Sequence, residues 1–387
     1  MRRNQLTLSA SEVQRHFHAM LAPVLGPWPM VRTCTVEAVL TVLAYAAARI
    51  TSLTDACRRL ANAPDSDTVL GHLARQLPML KLLDRRVRET LVAHLPRAIR
   101  RGRWIIAIDT TLIPYHGQPF ADPAEVYRGQ AKSGTTHFHA YATAYLVRAG
   151  CRFTLAMVMV VRELRQRVVA TGVSPRLFLL DRGFATAGVV RYLQTARQAF
   201  IMPQAVHGKA PKNGPLTGLR AIRANAKTGW AKYSWKPNGQ RRVTVDLCVL
   251  RRRRTDRRGH RAFLYACGRV RMNPAAVYRT YRRRFGVETS YRQMNQARIR
   301  TTTRRPTLRF LFVAIAVLLR NLWAWLHWTT LAARRRGHRR IQLHLLRLRT
   351  LTLWLAHLAE QLFQYFDHTR AETQLPSPLE SNHTKGR

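Results

Sequence analysis

The sequence predicts an α/β protein with a mixed sheet and flanking helices at its centre, an all-helical region before it and further helices after it. Three observations support this fold class. Apolar residues recur at helical spacing through residues 1–95. From Arg103 the pattern changes to short runs rich in β-branched and aromatic residues, bounded by turn residues. Helical spacing then returns from Tyr278 onward. At 387 residues the chain can fold as two or three domains, and a hydrophobic content of 47% excludes a disordered basic tail protein. Lys and Arg number 66 against 19 Asp and Glu, a net charge of +47. That charge is carried by a folded body, and its natural partner is a polyanion.

Taken in order, helices are expected at 9–21, 36–50, 52–61, 66–77 and 79–95. Ser52, with Asp55 three residues on, makes a capping-box-like start, and Asn62-Ala-Pro-Asp-Ser provides a turn before the next helix. Two short helices so joined suit either a helix-turn-helix reader of the major groove or an ordinary helical hairpin. Strands follow at 104–108, 138–147, 152–161 and 176–180, then a helix at 185–198 and an apolar run at 199–202. This order is that of an RNase H-like core, in whose mixed sheet site residues lie where strands end. Residues 204–272 interrupt the core as a β-rich insertion. Runs at 229–235 and 241–250 flank an Asn-Gly hairpin signal, and a third run at 263–270 follows a very basic loop.

Helices are expected again at 278–296, 308–331 and 341–366. The apolar stretch 310–328 is interrupted by Arg320, Asn321 and His327, so it reads as a buried core helix rather than a membrane span. The domains are then a helical DNA-binding region at 1–98, a catalytic domain at 99–332, a helical part at 333–368 and a disordered tail at 369–387. The five cysteines are scattered, with no metal-like spacing, and read as free thiols.

In a chain so poor in acids, three carboxylates stand out. Asp109 closes the run 104–108, Asp181 closes 177–180, and Glu288 lies within an arginine-crowded helix. Adjacent strands would bring the two aspartates together, with Glu288 reaching across from a helix. Mg²⁺, or Mn²⁺, takes hard oxygen ligands of this kind, and two such ions can activate the attacking oxygen and stabilise the leaving oxygen of a phosphodiester. Each acid also has a structural role open to it. Asp109 could cap the Thr110-Thr111 turn, Asp181 could pair with Arg182 or cap the following helix, and Glu288 could bridge Arg284 or Arg292. Asp122, Glu125, Glu163, Asp246 and Asp256 lie in loops or between strand signals and are weaker candidates.

Asp109-Thr-Thr-Leu-Ile-Pro-Tyr, Asp181-Arg-Gly-Phe and Tyr281-x2-Arg284-x3-Glu288 resemble the three acidic motifs of DDE-type insertion-sequence transposases, specifically the group with the signature Y-x2-R-x3-E-x6-K. The resemblance spans about residues 100–330. Steps of three and four place Tyr281, Arg284 and Glu288 on one face of a helix. At the last motif position Asn295 stands where the group has Lys; it can hydrogen-bond a phosphate but brings no charge. The resemblance implies that Asp109, Asp181 and Glu288 are catalytic and hold Mg²⁺ or Mn²⁺, and that Tyr281 and Arg284 touch DNA beside the cut. Arg292, Asn295, Arg182 and Lys132 are the further candidates for DNA contact. The implied partners are double-stranded DNA, as terminal inverted repeats and target, and a second copy of the chain in a synaptic complex. No membrane partner is expected, and the expected location is the cytoplasm, at the nucleoid. A catalytically inactive DNA-binding descendant and an RNase H-like nuclease without strand transfer remain alternatives.

Overall fold

The computed structural model describes residues 7–28, 34–117, 126–148, 152–158, 168–170, 172–211, 213–225, 227–236, 239, 241–253, 260–335 and 338–365. The expected tail at 369–387, Cys151 and the weaker acids Asp122, Glu125, Glu163 and Asp256 lie outside the described residues.

Helices α1 (Ala10–Leu25), α2 (Val36–Arg49), α3 (Leu53–Arg59), α4 (Ser66–Gln76), α5 (Leu80–Ala93) and the short α6 (Arg97–Arg100) precede the sheet. Capping fixes their starts. Ser9 accepts the Glu12 N–H while the Glu12 carboxylate accepts the Ser9 N–H. Ser52 accepts the Asp55 N–H at 3.0 Å, as its spacing predicts. The turn joining α3 to α4 is not free, because Ala61 and Asn62 donate their N–H groups to the carbonyls of Gln364 and Phe363. The last two helices, α11 (Pro306–Thr329) and α12 (Leu348–Phe363), pack against the first ones, α12 on α2 and α11 on α5. N-terminal helices, sheet and C-terminal helices therefore share one hydrophobic core.

Among the described residues the sheet has nine strands. Its path runs β2 (Tyr127–Lys132), β3 (Thr135–Leu146), β1 (Arg103–Pro114), β5 (Ser174–Leu180), β6 (Phe200–Pro203), β9 (His260–Gly268), β8 (Val243–Arg253) and β7 (Gly229–Trp235), with β4 (Thr154–Val158) also pairing β3. Helix α7 (Ala187–Thr195) links β5 to β6, and α8 (Gly218–Ala224) lies between β6 and β7. It is mixed, because β1, β5 and β6 run parallel while β3 and β9 flank them antiparallel. Ile105 to Ile108 and Leu177 to Leu180 are buried without alternation, as central parallel strands covered on both faces require. The β-rich section after Pro203 does not stand apart. β9 joins β6 over Phe200 to Pro203, so β7, β8 and β9 extend the main sheet.

Two differences from the sequence reading affect the site. β1 runs on past Ile108 to Pro114, because antiparallel pairing with β3 extends as far as Phe138 opposite Pro114. Asp109 is therefore within its strand rather than at its end. The helix expected over 278–296 is broken into α9 (Pro274–Arg282), a 3₁₀ turn at Arg283–Phe285 and α10 (Gly286–Asn295).

The polar residues that interrupt the apolar stretch of α11 serve internal contacts, and 94% of its most apolar window is buried. Asn321 donates to the Thr154 carbonyl at 2.8 Å and accepts the Thr154 N–H at 2.9 Å. Its amide thereby completes the edge of β4 as a neighbouring strand would. Arg320 donates to the Arg152 carbonyl, and Trp323 donates to the Leu346 carbonyl at 2.8 Å. Replacing Asn321 by Leu strands two buried backbone groups and is expected to cost about 2 kcal/mol. The check is a lowered urea midpoint at unchanged slope.

Candidate active site

β1 and β5 are parallel neighbours, and their register pairs Ile108 with Leu180. The next residue on each strand is Asp109 and Asp181, so two positions distant in sequence become adjacent in space. Asp109 Oδ1 accepts the N–H of Thr110 at 2.9 Å, within the strand rather than at the turn expected from sequence. Asp181 precedes the 3₁₀ turn Arg182–Phe184 but makes no side-chain cap bond there.

Arg284 joins the two carboxylates. Its Nη1 donates to Asp109 Oδ2 at 2.8 Å and its Nη2 lies 3.2 Å from Asp181 Oδ1. The three side chains differ in exposure, at 7% for Arg284, 13% for Asp109 and 41% for Asp181. Burial pushes the Asp109 carboxyl up to about 6 from its ordinary 3.8, against the opposing pull of the Arg284 cation and the Thr110 N–H. Burial alone would lower Arg284, but Tyr281, Asp109 and Asp181 together hold it above its usual value.

Tyr281 is buried. Its hydroxyl donates to the Leu180 carbonyl at 3.3 Å, its ring packs against Tyr265 at 5.1 Å, and burial raises its pKa. The resemblance implies that Tyr281 and Arg284 touch DNA; here both are buried, Tyr281 against the Leu180 carbonyl and Arg284 between the two aspartates. Glu288 is exposed in the first turn of α10. The 3₁₀ turn explains the separation. It winds about 20° more per residue than an α-helix, so three residues carry Glu288 roughly 60° away from the face it would share with Tyr281. Among the described residues no three His, Cys, Asp or Glu side chains stand together as a metal cage.

Arg292 and Asn295 are exposed on α10, four and seven residues beyond Glu288, and so share its outward face. The opposite face anchors the helix. Tyr291 shares a 2.7 Å hydrogen bond with Thr143, the ladder partner of Asp109, and the Tyr145 hydroxyl lies 3.1 Å from Met294 Sδ. Arg182 is exposed beside Asp181. Lys132 is remote, at the tip of the β2–β3 hairpin. It pairs with Thr135, which lies about 25 Å along β3 from Thr143 at the usual rise of a strand. Ser133 and Gly134 both have positive φ there, which makes the Lys132-Ser-Gly-Thr loop a tight hairpin turn.

A cleft of about 420 Å³ next to Asp181 was not singled out from sequence. Arg182, Phe263, Tyr278, Tyr281, Arg282 and Phe285 line it. Arg261 lies over the Phe263 ring at 5.0 Å and Arg252 over Tyr278 at 4.9 Å. The signal was present in the steps of three and four separating Tyr278, Tyr281 and Phe285.

Two hard carboxylates side by side are of the donor type that Mg²⁺ or Mn²⁺ takes, and here the Arg284 guanidinium engages both of them. The family described as Transposase DDE domain matches residues 100–322. The chain belongs to that family, and both aspartates and Glu288 lie within the match. The chain matches no curated protein. Among solved structures it is similar to the cryo-EM structure of the piggyBac transposase synaptic complex with hairpin DNA. That likeness has a TM-score of 0.44 and 11% identity, covering 94% of this chain and 74% of that one.

Proposed function

We propose that this transposase cuts DNA at the ends of its own element and joins the exposed 3′-hydroxyls to target DNA, through an RNase H-like core in which Asp109, Asp181 and Glu288 are the catalytic acids. The observation that carries the proposal is the adjacency of Asp109 and Asp181 on parallel strands, bridged by Arg284, inside the region that matches the family. Mg²⁺ or Mn²⁺ held by these acids would supply a Lewis acid for the attacking and leaving oxygens.

The chain's own residues do the rest. Asp109 and Asp181 are fixed by the backbone ladder of β1 and β5, which holds the acidic pair in register. Arg284 holds them together against their mutual repulsion, and Tyr281 buttresses Arg284 from below. Glu288, Arg292 and Asn295 present one outward face of α10 to the DNA. Arg182 and the aromatic cleft beside it suit an unstacked nucleotide next to the cut, by stacking and cation–π contact. Lys132 serves as a peripheral phosphate contact at the hairpin tip. Residues 1–98 act as a DNA-binding region, 99–332 as the catalytic domain with 204–272 inserted, and 333–368 as its helical completion. Double-stranded DNA, a second copy in the synaptic complex and a cytoplasmic, nucleoid-associated location follow from this function.

The test is excision of a marker placed between the repeats that flank the gene, with wild type and Asp181→Ala supplied separately. Excision and joined products from wild type alone are expected. Cleavage without joined products would point to a nuclease, and tight repeat binding without cleavage to an inactive descendant.

A further inference from the structure

Residues 298–305 read Arg-Ile-Arg-Thr-Thr-Thr-Arg-Arg and link α10 to α11. The segment is irregular but fixed from both sides. Arg300 donates its N–H to the Thr51 carbonyl at 3.0 Å and pairs with Ser52 as a parallel bridge. Buried Arg309 donates to the Arg304 carbonyl at 3.0 Å and the Thr303 carbonyl at 3.5 Å. The hydroxyls of Thr301 and Thr303 accept the N–H groups of Thr303 and Arg305. A backbone held in this way leaves Arg300, Arg304 and Arg305 exposed on a rigid strap.

The strap lies between two hollows. One, of about 610 Å³, opens toward α3 and α4 and is lined by Arg75, Arg300 and Arg305 among others. The second, of about 170 Å³, lies by the far end of β1 and is lined by Arg298, Arg300 and Arg309 with His139 and Tyr141. Arg300, Thr301 and Thr303 belong to both, so the two hollows flank the same strap. Among the described residues neither lining contains an Asp or Glu. Arg75, Arg298, Arg300 and Arg305 thus face two adjoining hollows whose described linings carry no carboxylate. Burial, and then the neighbouring Arg300, hold Arg298 below its usual basicity, a cost that a bound anion would offset. Ile113, which also lines the smaller hollow, lies four residues beyond Asp109 on β1, about 13 Å at the rise of a strand.

We propose that the strap and its two hollows are a binding trough for DNA backbone phosphates, which leads a strand from the aspartate pair to the surface of α3 and α4. The proposal rests on the DNA-cutting function above. Arg300, common to both hollows, is its central contact. Arginine forks suit phosphate oxygens, and threonine hydroxyls can add hydrogen bonds.

The test uses the full chain, a labelled duplex carrying a flanking repeat, and affinity measured across a salt series. The double variant Arg300→Ala/Arg305→Ala removes two exposed charges, while Arg101→Ala/Arg103→Ala removes two exposed charges at the opposite end of β1. Losing two phosphate contacts is expected to flatten the slope of log K against log salt by about 1.8. It should also weaken binding about tenfold or more near 0.1 M salt, with the Arg101/Arg103 pair changing neither by more than a small fraction of this. Arg300→Lys/Arg305→Lys should recover most of the slope.

Equal effects from the two alanine pairs, or no change in slope, would overturn the trough while leaving the DNA-cutting function intact. A wild-type chain that fails to bind the duplex at all would overturn both. Inorganic phosphate that raises the melting temperature of wild type but not of the Arg300/Arg305 double variant, with the DNA slope unchanged, would show a small-anion site and also overturn the trough.

Discussion

Replacing Arg284 by methionine is expected to destabilise the protein by about 3 kcal/mol at pH 7.5, the lower end of the range for breaking a buried ion pair. The lower end applies because Asp181 is 41% exposed and keeps part of its hydration. Methionine fills a similar volume, so the loss is electrostatic: Asp109 and Asp181 are left facing each other without a cation. Removing the guanidinium takes away an influence that lowers Asp109, whose carboxyl already stands at about 6. Its folded-state value therefore climbs further above the ordinary 3.8. A carboxyl raised on folding is penalised where it must ionise, so the defect is full at pH 7.5 and shrinks as pH falls and Asp109 takes up its proton. Urea midpoints at pH 7.5 and pH 5 check this, and a deficit that did not shrink at pH 5 would show the loss to be one of packing. Arg284→Lys should recover only part, since one ammonium cannot fork to both carboxylates.

Asp109→Asn carries the largest expected effect on activity, a fall in excision on the order of 10³-fold or more, equivalent to about 4 kcal/mol in the barrier. The replacement is isosteric, and its amide oxygen can still accept from Arg284, so geometry is kept while the hard anion proposed as a metal ligand is lost. The fold should respond in the opposite sense. The folded state of wild type holds the Asp109 proton more tightly than the unfolded chain. Its stability therefore falls as pH rises from 3.8 through about 6. Asparagine cannot ionise, so the variant should show a flatter stability profile across that window. Melting curves from pH 4 to pH 7, run beside the excision assay, separate the two effects. Parallel loss of activity and of stability would mean that Asn has disturbed the sheet. Added Mg²⁺ should also stabilise wild type more at pH 7.5 than at pH 5.5, because a ligand must shed its proton to bind.

Much of the fold is readable in the sequence because local signals and tertiary pairing agree. Gly229–Trp235 is such a strand: aromatic residues recur along it, and a hairpin signal ends it. Helix α2 is readable from Thr35, whose hydroxyl accepts the Ala38 N–H. Agreement fails where the partner is distant. Thr110 to Pro114 look like a turn, and only their pairing with β3 makes them strand. Tyr127–Lys132 has little apolar content and is a strand because β3 supplies its ladder.

At the site, the positions of Asp109 and Asp181 are readable, since apolar runs lead into both and the register of β1 and β5 aligns them. What completes the pair is not. Residues 282–284 read as one basic cluster, yet Arg282 and Arg283 stay exposed while Arg284 turns inward. No local pattern distinguishes an arginine destined for two buried carboxylates from its solvated neighbours. The 3₁₀ turn accompanying that inward turn is likewise invisible in a sequence segment that lacks proline.

The continuity of the sheet from β1 through β5, β6, β9 and β8 to β7 makes the two aspartates and the β-rich section one rigid jaw. Shifting Asp109 relative to those strands would require breaking the backbone ladder of β1 with β3, and Asp181 follows directly on the last ladder position of β5. Helix α10 reaches the jaw through a few side-chain contacts and a single overwound turn. For Glu288 to meet the acidic pair, as proposed, this one short helix would have to turn against its Tyr291 and Met294 anchors, carrying Arg292 and Asn295 with it.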